Sequence, residues 1–209
     1  MIRIPPHRGG WLEVVCGPMY SGKSEELIRR LRRAEIAGQR VLVVKAGFDD
    51  RYDVAHVVSH AGDRLRAVCA EAADVLRLAE GYDVVGLDEL HFFDEGTIVD
   101  VVLELRDRGR RVVVSGLDCD FRGDPFPAMA RLLCHAELVD KLQAVCHRCG
   151  GPATRTQRLV DGLPAPFGGP TIQVGALDSY EARCAGCYEP GADSADLSAS
   201  SSTLAASST

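Results

Sequence analysis

The chain contains no apolar run that approaches the roughly 20 residues needed to cross a membrane. Its opening residues, MIRIPPHRGGW, also lack the apolar segment of a secretory signal. These absences favour a cytoplasmic, reducing location and disfavour a membrane partner. They also weigh against structural disulfides, because thiols stay reduced in that compartment.

Positive charge is scarce as well. Lys and Arg number 24 against 30 Asp and Glu, which gives a formal net charge of −6. A nucleic-acid backbone is bound mainly through many Lys and Arg side chains on one face of a protein. A nucleic-acid polymer is therefore disfavoured as a partner, although a local basic patch stays open.

The chain is rich in short apolar segments that alternate with helical patterns. Of its 209 residues 46% are hydrophobic, enough to bury the core of one domain with an appendage. The strand-like runs are WLEVVC, RVLVVK, DVVGLDE and RVVVSGL, and helical spacing covers Lys23 to Ala37 and EGTIVDVVLELRDRG. Because the strands are apolar on both faces, the pattern predicts an α/β fold with a parallel sheet flanked by helices.

The segment CGPMYSGKSEEL matches the phosphate-binding pattern GxxxxGK[ST] at Gly17, Gly22, Lys23 and Ser24. A strand precedes it and a helix follows, as the motif requires. The glycines let backbone N–H groups face an anion, Lys23 adds a charge, and Ser24 offers a hydroxyl to Mg²⁺. The motif predicts nucleotide binding, and a chance glycine-rich turn is the alternative.

Two adjacent carboxylates end the strand DVVGLDE. Asp88 stands where the ligand-side residues of a parallel sheet collect and is suited to hold the metal of a phosphate loop. Strand alternation would turn Glu89 to another face, where it could accept a proton from an attacking hydroxyl. The alternative for Glu89 is a solvated carboxylate at a strand end.

Four of the eight cysteines form two CxxC pairs, Cys146 with Cys149 and Cys184 with Cys187, with 34 residues between the pairs. Two such pairs can present four thiolates to a structural zinc ion, whereas a redox CxxC would not explain the second pair. The other four are predicted to be small core residues, namely Cys16, Cys69, Cys119 and Cys134.

The loop GLDCDFRGDPF carries two aromatic residues, Phe121 and Phe126, that either join the core or form a wall for a flat base. Arg51 and Arg122 are candidates to meet phosphate charge, and ordinary surface ions are the alternative.

The texture of the sequence changes past residue 137, where short strand-like pieces such as ELVDKLQAVC surround the loop DGLPAPFGGP. The Ser/Ala-rich end has too few bulky apolar residues to order itself. We predict a lead-in at 1–10, a P-loop α/β nucleotide-binding domain at 11–140, a small zinc-stapled β/loop subdomain at 141–188, and a disordered tail at 189–209.

Six segments of the chain, taken in order, resemble the type II, cellular-type thymidine kinase family. They are GPMYSGKS, DELHFF, LDCDFRGDPF, the first CxxC, VGALDSYEARC and the second CxxC. The match runs from about Leu12 to Tyr188. The resemblance implies ATP-dependent phosphorylation of the 5′-hydroxyl of thymidine, with Mg²⁺ and structural Zn²⁺. It also implies a homotetramer and feedback binding of thymidine triphosphate.

The resemblance assigns site residues as well. Glu89 would be the proton acceptor, and Ser24 and Asp88 would hold Mg²⁺. ATP would contact Gly17, Pro18, Met19, Tyr20, Ser21, Gly22, Lys23, Ser24, Asp88, Glu89, Leu90 and His91. Thymidine would contact side chains of Met19, Phe92, Leu117, Phe121, Phe126, Thr156 and Tyr180, and a closing loop, the lasso, would add Thr171, Ile172, Gln173, Val174 and Gly175.

Two positions depart from the family pattern. His91 stands where Gln is usual, which affects hydrogen bonding near the proton acceptor. Ala176 stands in place of the second glycine of the lasso, and alanine resists positive φ. Two other functions remain open: a zinc-containing P-loop ATPase that acts on nucleic acid, and a zinc-stapled module that binds nucleotide without turnover.

Overall fold

The computed structural model describes residues 9–47, 54–58, 64–168 and 178–191. The chain divides into two compact units. The first comprises Met1–Gly17, Ser21–Asp118 and Pro125–Leu142, and the second comprises Pro18–Tyr20, Cys119–Asp124 and Gln143–Thr209. The second unit thus takes two short segments from within the predicted nucleotide-binding domain.

The first unit is built on a seven-stranded sheet within the described residues, in the order β3-β4-β2-β5-β6-β1-β7. The strands are β1 (Trp11–Cys16), β2 (Val41–Ala46), β3 (Val54–Val58), β4 (Arg64–Ala70), β5 (Val84–Asp88), β6 (Arg111–Gly116) and β7 (Leu138–Lys141). All neighbours pair in parallel except β3 with β4. The edge strand β7 lies past residue 137, where the texture of the sequence changes, and all but its last residue fall within the predicted nucleotide-binding domain 11–140.

Four helices and one turn of 3₁₀-helix connect these strands in the described part of the chain. They are α1 (Lys23–Ile36), α2 (Ala72–Leu78), the 3₁₀ turn (Leu90–Phe92), α3 (Glu95–Asp107) and α4 (Pro127–His135). Helix α3 begins at an aspartate cap, because the Asp94 carboxylate accepts the Thr97 N–H at 3.0 Å. Helix α4 begins at Pro127, which tolerates the first helical position because no N–H is needed there.

Helices cover both faces of the sheet. Leu27, Ile28 and Leu31 of α1 pack on one face, and α2, α3 and α4 pack on the other. Neighbouring strand residues alternate accordingly, so that Val84 joins the α1 side and Val85 the opposite side. The predicted α/β fold, with parallel strands flanked by helices, is confirmed.

A buried carboxylate ties three elements of the first unit together. Glu13 of β1 is 1% exposed. It accepts hydrogen bonds from Trp11 Nε1 at 2.7 Å, from Arg30 of α1 at 2.8 Å and from Arg111 of β6 at 2.6 Å. Arg30 also pairs with Glu26 and Asp140. The buried charge is therefore neutralised on several sides, as burial of an ion requires.

The second unit contains two small sheets. A hairpin pairs β8 (Ala144–Val145) with β9 (Pro152–Ala153), and an antiparallel sheet has the order β11-β10-β12. The strands of the latter are β10 (Arg155–Val160), β11 (Leu163–Pro164) and β12 (Asp178–Arg183).

The described end of the chain differs from the sequence expectation. Glu189, which we placed in a disordered tail, is held against β10, since its N–H donates to Gln157 Oε1 at 2.9 Å and its carbonyl accepts from Gln157 Nε2 at 3.0 Å. Several predicted features lie outside the described residues. They are the lead-in at 1–8, Arg51, the predicted lasso contacts Thr171 to Gly175, Ala176 and residues 192–209.

Among the helices of the described ranges, none is both long enough and apolar enough to span a lipid bilayer.

Candidate active site

The phosphate loop leaves β1 in a conformation that glycine permits. Gly17 has a φ of 143° and Gly22 a φ of 82°. Gly22 caps α1, and no side chain in the described part of the chain caps that helix end. An uncapped helix N-terminus presents N–H groups and a positive dipole end to an anion. The local geometry therefore suits a phosphate group, as the motif predicts.

Asp88 ends β5 at the same edge of the sheet. It is 3% exposed, it accepts a hydrogen bond from Ser115 Oγ at 2.9 Å, and Ser24 Oγ lies 3.5 Å from its other oxygen. Burial raises the pKa of Asp88, and the Ser115 hydrogen bond and the charge of Lys45 partly oppose this rise. A carboxylate and a hydroxyl are oxygen ligands of the kind that Mg²⁺ prefers, so these residues fit that ion.

Glu89 follows in a left-handed conformation, with φ 53° and ψ 42°. The strand ends at Asp88, so the turn rather than strand alternation separates the two carboxylates. Non-glycine residues held in this region cluster at functional sites. Burial raises the pKa of Glu89, the charge of Asp88 raises it further, and Lys23 opposes the rise. Glu89 is consequently a better proton acceptor than an ordinary carboxylate.

Lys23 lies in the field of these carboxylates. Burial lowers the pKa of Lys23, and the charges of Glu89, Asp88 and Asp118 partly restore it. The first unit thus gathers a cation and several acids at the carboxyl ends of its parallel strands, where α/β sheets bind ligands.

Sequence reasoning did not single out three residues of this group. Ser115 orients Asp88, Lys45 contributes charge next to it, and buried Asp118 pairs with Lys141 Nζ at 2.7 Å. Lys45 and Asp118 stand near the carboxyl ends of apolar strands, and Ser115 interrupts the run RVVVSG. These positions near the strand ends could have indicated that the three residues belong to the site, because polar residues at the carboxyl ends of parallel strands share one edge of the sheet.

Three predicted thymidine contacts of the first unit meet around His91. Its ring centroid lies 4.1 Å from that of Phe92 and 4.8 Å from that of Phe126, and its Nδ1 accepts the N–H of Leu117 at 3.1 Å. Phe92, Leu117 and Phe126 are half-buried, whereas His91 is buried beneath them. The predicted residues are therefore brought together.

Two predicted contacts of the second unit are bonded to each other. The Met19 N–H donates to Thr156 Oγ1 at 3.1 Å, and Thr156 is buried. Next to Met19, the Tyr20 ring lies 5.7 Å from the His147 ring. The tip of the phosphate loop is thus hydrogen-bonded to β10, and its tyrosine ring lies against the first CxxC segment.

The loop around Phe121 is internally braced. Asp120 Oδ1 accepts the N–H groups of Arg122 and Asp124 at 2.8 and 3.0 Å. The Phe121 ring is buried, and the guanidinium carbons of Arg122 and Arg158 lie 5.0 and 5.2 Å from its centroid. Arg122 is placed against this ring and near Asp120.

The far side of this loop is fastened as well. The Tyr188 hydroxyl donates to the carbonyl of Phe121 at 2.7 Å. The predicted contact Tyr180 lies opposite Arg158 in the pairing of β10 with β12. The loop and the small antiparallel sheet therefore form one braced structure within the second unit.

The four CxxC cysteines converge. Their sulfur atoms all lie within 4.8 Å of one another, and Cys149 Sγ is 3.7 Å from Cys184 Sγ. Four thiolates about 2.3 Å from a tetrahedral zinc ion would be separated by about 3.8 Å, so the cluster fits zinc. Backbone N–H groups, that of Cys184 first, lower the pKa of Cys146 to about 6, whereas the Cys184 thiol and its neighbours raise the pKa of Cys187 to about 12.

The remaining cysteines divide by burial. Cys16 is buried as predicted, Cys69 and Cys119 are half-buried, and Cys134 is exposed. The core prediction was therefore wrong for Cys134, because the buried positions of α4 are Ala128, Met129 and Leu132.

The fold and these residues define an α/β protein with a phosphate-loop motif, two adjacent carboxylates at the end of β5 and a cluster of four cysteines that fits a metal ion. Comparison with sequence models of protein families matches residues 10–188 to the family described as thymidine kinase. The chain belongs to the thymidine kinase family, and membership implies a nucleoside kinase. The resemblance drawn from the sequence motifs is confirmed at the level of the family.

Proposed function

We propose that this protein is a type II thymidine kinase, which transfers the γ-phosphoryl group of ATP to the 5′-hydroxyl of thymidine and releases thymidine monophosphate and ADP. One observation carries the proposal beyond nucleotide binding. Glu89 directly follows Asp88, the carboxylate suited to hold a metal ion, and adopts a left-handed backbone conformation. The pKa of Glu89 is raised, and the charge of Lys23 acts on its carboxylate. Nucleotide binding alone requires no such second acid.

The residues divide the reaction between them. Lys23 and the N-terminus of α1 bind the phosphates, and Ser24 and Asp88 would hold Mg²⁺, which would supply positive charge to neutralise the phosphate oxygens. The thymidine oxygen forms a bond to the γ-phosphorus as the bond to the ADP oxygen breaks. The proton of the 5′-hydroxyl passes to the Glu89 carboxylate.

The thymidine contacts are proposed at Met19, Phe92, Leu117, Phe121, Phe126, Thr156 and Tyr180, with Thr171, Ile172, Gln173, Val174 and Gly175 in the lasso. Closure of the lasso would exclude water and so favour phosphoryl transfer over hydrolysis. Arg51 and Arg122 are proposed to meet phosphate charge. A zinc ion on the four cysteines, a cytoplasmic homotetramer and feedback binding of thymidine triphosphate complete the proposal.

ADP release separates this function from its alternatives. Release that requires thymidine supports the kinase, whereas release stimulated by DNA instead supports an ATPase that acts on nucleic acid. Nucleotide binding without release leaves a binding module. Deoxyuridine, deoxycytidine and deoxyguanosine as parallel acceptors would define the nucleoside specificity.

We predict that Glu89→Gln retains ADP affinity and loses roughly 100-fold or more in kcat, because only the proton acceptor is removed. The matched control is Glu95→Gln, which alters an exposed acid in the first turn of α3 and should leave kcat unchanged. Near-normal turnover of Glu89→Gln would disprove the assignment of the base.

A further inference from the structure

His91 is buried in the part of the site that surrounds Glu89. Its side chain is 1% exposed, and the rings of Phe92 and Phe126 pack against it. A buried imidazole with two hydrogen-bonding nitrogens needs partners for both of them. The partners available to each nitrogen therefore indicate what the side chain does.

The first nitrogen is committed. The Leu117 N–H points at Nδ1 at 3.1 Å, so Nδ1 is an acceptor and carries no proton. The single proton of the neutral ring must then lie on Nε2. Burial, followed by the charge of Lys23, lowers the pKa of His91 to about 3, which is consistent with a neutral ring.

The second nitrogen faces the proton acceptor. Nε2 is buried and makes no hydrogen bond within the described ranges, and Glu89 Oε2 lies 3.4 Å away. A small rotation of the Glu89 side chain, which is 37% exposed, would form an N–H···O bond between them. Such a bond would satisfy a buried donor and hold an otherwise mobile carboxylate in one orientation.

We propose that His91 is a positioning residue that acts through Glu89. Its neutral ring links the backbone of Leu117, just past the end of β6, to the Glu89 carboxylate, and thereby aims the carboxylate at the attacking hydroxyl. This inference rests on the proposed role of Glu89 as the base. His91 thus supplies hydrogen bonding to the proton acceptor from a position where the family usually has glutamine.

Two substitutions separate the hydrogen bonds of His91 from its packing. His91→Phe keeps an aromatic ring against Phe92 and Phe126 but has no nitrogen. His91→Gln offers an oxygen to the Leu117 N–H and an N–H to Glu89. We expect His91→Phe to lower kcat by roughly 10-fold or more with a smaller change in the KM for thymidine, and His91→Gln to restore most of kcat.

Each opposite result would overturn the proposal. A kcat of His91→Phe equal to that of the unsubstituted enzyme, or a change confined to KM, would make His91 a packing residue of the nucleoside site. Failure of His91→Gln to recover more kcat than His91→Phe would exclude the hydrogen-bond bridge.

A double substitution tests whether His91 acts through Glu89. In the Glu89→Gln background, His91→Phe should cause little further loss of kcat, because both changes disable one unit. A full additional loss would overturn this proposal and leave the base assignment intact. Full turnover of the Glu89→Gln variant alone would instead exclude Glu89 as the proton acceptor, and both proposals would then fail.

Nitrogen NMR of histidine-labelled, unsubstituted protein gives a readout that needs no variant to fold. We expect the His91 ring to carry its proton on Nε2. A proton on Nδ1 would overturn the proposal.

Discussion

Gly17 is the residue of the phosphate loop with the least room for change. Its φ is 143°, and an added Cβ would lie 2.5 Å from the carbonyl oxygen of Leu142. A backbone oxygen cannot move aside as a flexible side chain can. The Leu142 N–H is itself bonded to the carbonyl of Cys16 at 2.8 Å, which fixes β7 beside β1.

We therefore predict that Gly17→Ala abolishes measurable ADP binding and destabilises the fold by more than the roughly 1 kcal/mol that positive φ alone costs alanine. The matched control is Gly38→Ala, where φ is 78° and nothing lies within 4 Å of the new Cβ. Calorimetric ADP titration and thermal unfolding of both variants measure the difference. Equal behaviour of the two variants would contradict the role of the Leu142 contact.

The same loop shows which single residues a sequence can reveal. Gly17, Lys23 and Ser24 were predictable because their spacing is local and the motif brings its own strand and helix. Ser115 and Lys45 were not singled out, since their proximity to Asp88 depends on the order β2-β5-β6 within the sheet. Strand order arises from tertiary packing, which local spacing does not encode.

Strand β1 is joined to its neighbouring elements by the buried Glu13. Burial by itself would raise the pKa of this carboxyl, but hydrogen bonds from Arg111 and Trp11 and the charge of Arg30 hold it below its ordinary value of 4.5. Because the pKa of Glu13 is lowered in the folded protein, its ionised carboxylate stabilises the folded state at pH values above 4.5. This contribution is lost as the pH falls through the lowered pKa.

We predict that Glu13→Gln lowers the free energy of unfolding at neutral pH by about 3 kcal/mol, because Arg30 and Arg111 lose a buried counter-charge. The difference from the unsubstituted protein should shrink as the pH falls below 4.5. Urea unfolding at a series of pH values measures both effects.

Asp83→Asn provides the control for this prediction, because Asp83 forms an exposed pair with Arg40 and should stabilise the fold less than Glu13. A Glu13→Gln variant with unchanged stability at neutral pH would show that the buried network is dispensable.

The elements of the small unit that surround the cysteines enclose only a small apolar cluster. The buried cluster around them consists of Ala144, Cys146, Ala153 and Ala182, so little apolar area is removed from water there. A unit with so small a core needs a further staple, which four converging thiolates and a metal ion can supply.

We predict that Cys146→Ser loses bound zinc and exposes β8 and β9 to proteolysis, because three thiolates close the site poorly. Metal analysis and limited trypsin digestion measure the two effects. Cys134→Ser is the control, since Cys134 is exposed and lies outside the cluster. Full zinc content in Cys146→Ser would contradict the structural role of the cluster.

Element prediction from the sequence succeeded where the apolar pattern was strong. The long runs that became β1, β5 and β6 were recognised because both of their faces are buried. The edge strands β3 and β7 were not assigned to this sheet, since edge strands have one unpaired side and need less apolar character. The four residues of β7, LVDK, are only partly buried or exposed.

At the scale of the whole molecule, the chain passes from one unit to the other within the phosphate loop itself. Gly17 and Ser21 belong to the first unit, whereas Pro18–Tyr20 belongs to the second. The bond from the Met19 N–H to Thr156 Oγ1 therefore fixes the middle of the loop through β10. Loss of the Thr156 hydroxyl should accordingly affect the phosphate loop.

We predict that Thr156→Val weakens ADP binding by about 5- to 10-fold, the equivalent of one lost hydrogen bond of about 1 kcal/mol. Valine matches the shape of threonine but cannot accept the Met19 N–H. Thr156→Ser retains the hydroxyl and should bind ADP nearly as well as the unsubstituted protein. Equal ADP affinities for all three proteins would contradict the claim that the hydrogen bond between Met19 and Thr156 supports ADP binding.

The alternation of segments 18–20, 119–124 and 143 onward also limits how such a protein can diversify. Exchange of the cysteine-bearing region alone would leave behind its hydrogen-bond partners at Met19 and Phe121, because those residues are encoded far upstream. Lineages that remodel this region should change all three segments in concert. Recombination within the gene would more often separate co-adapted segments than transfer a working unit.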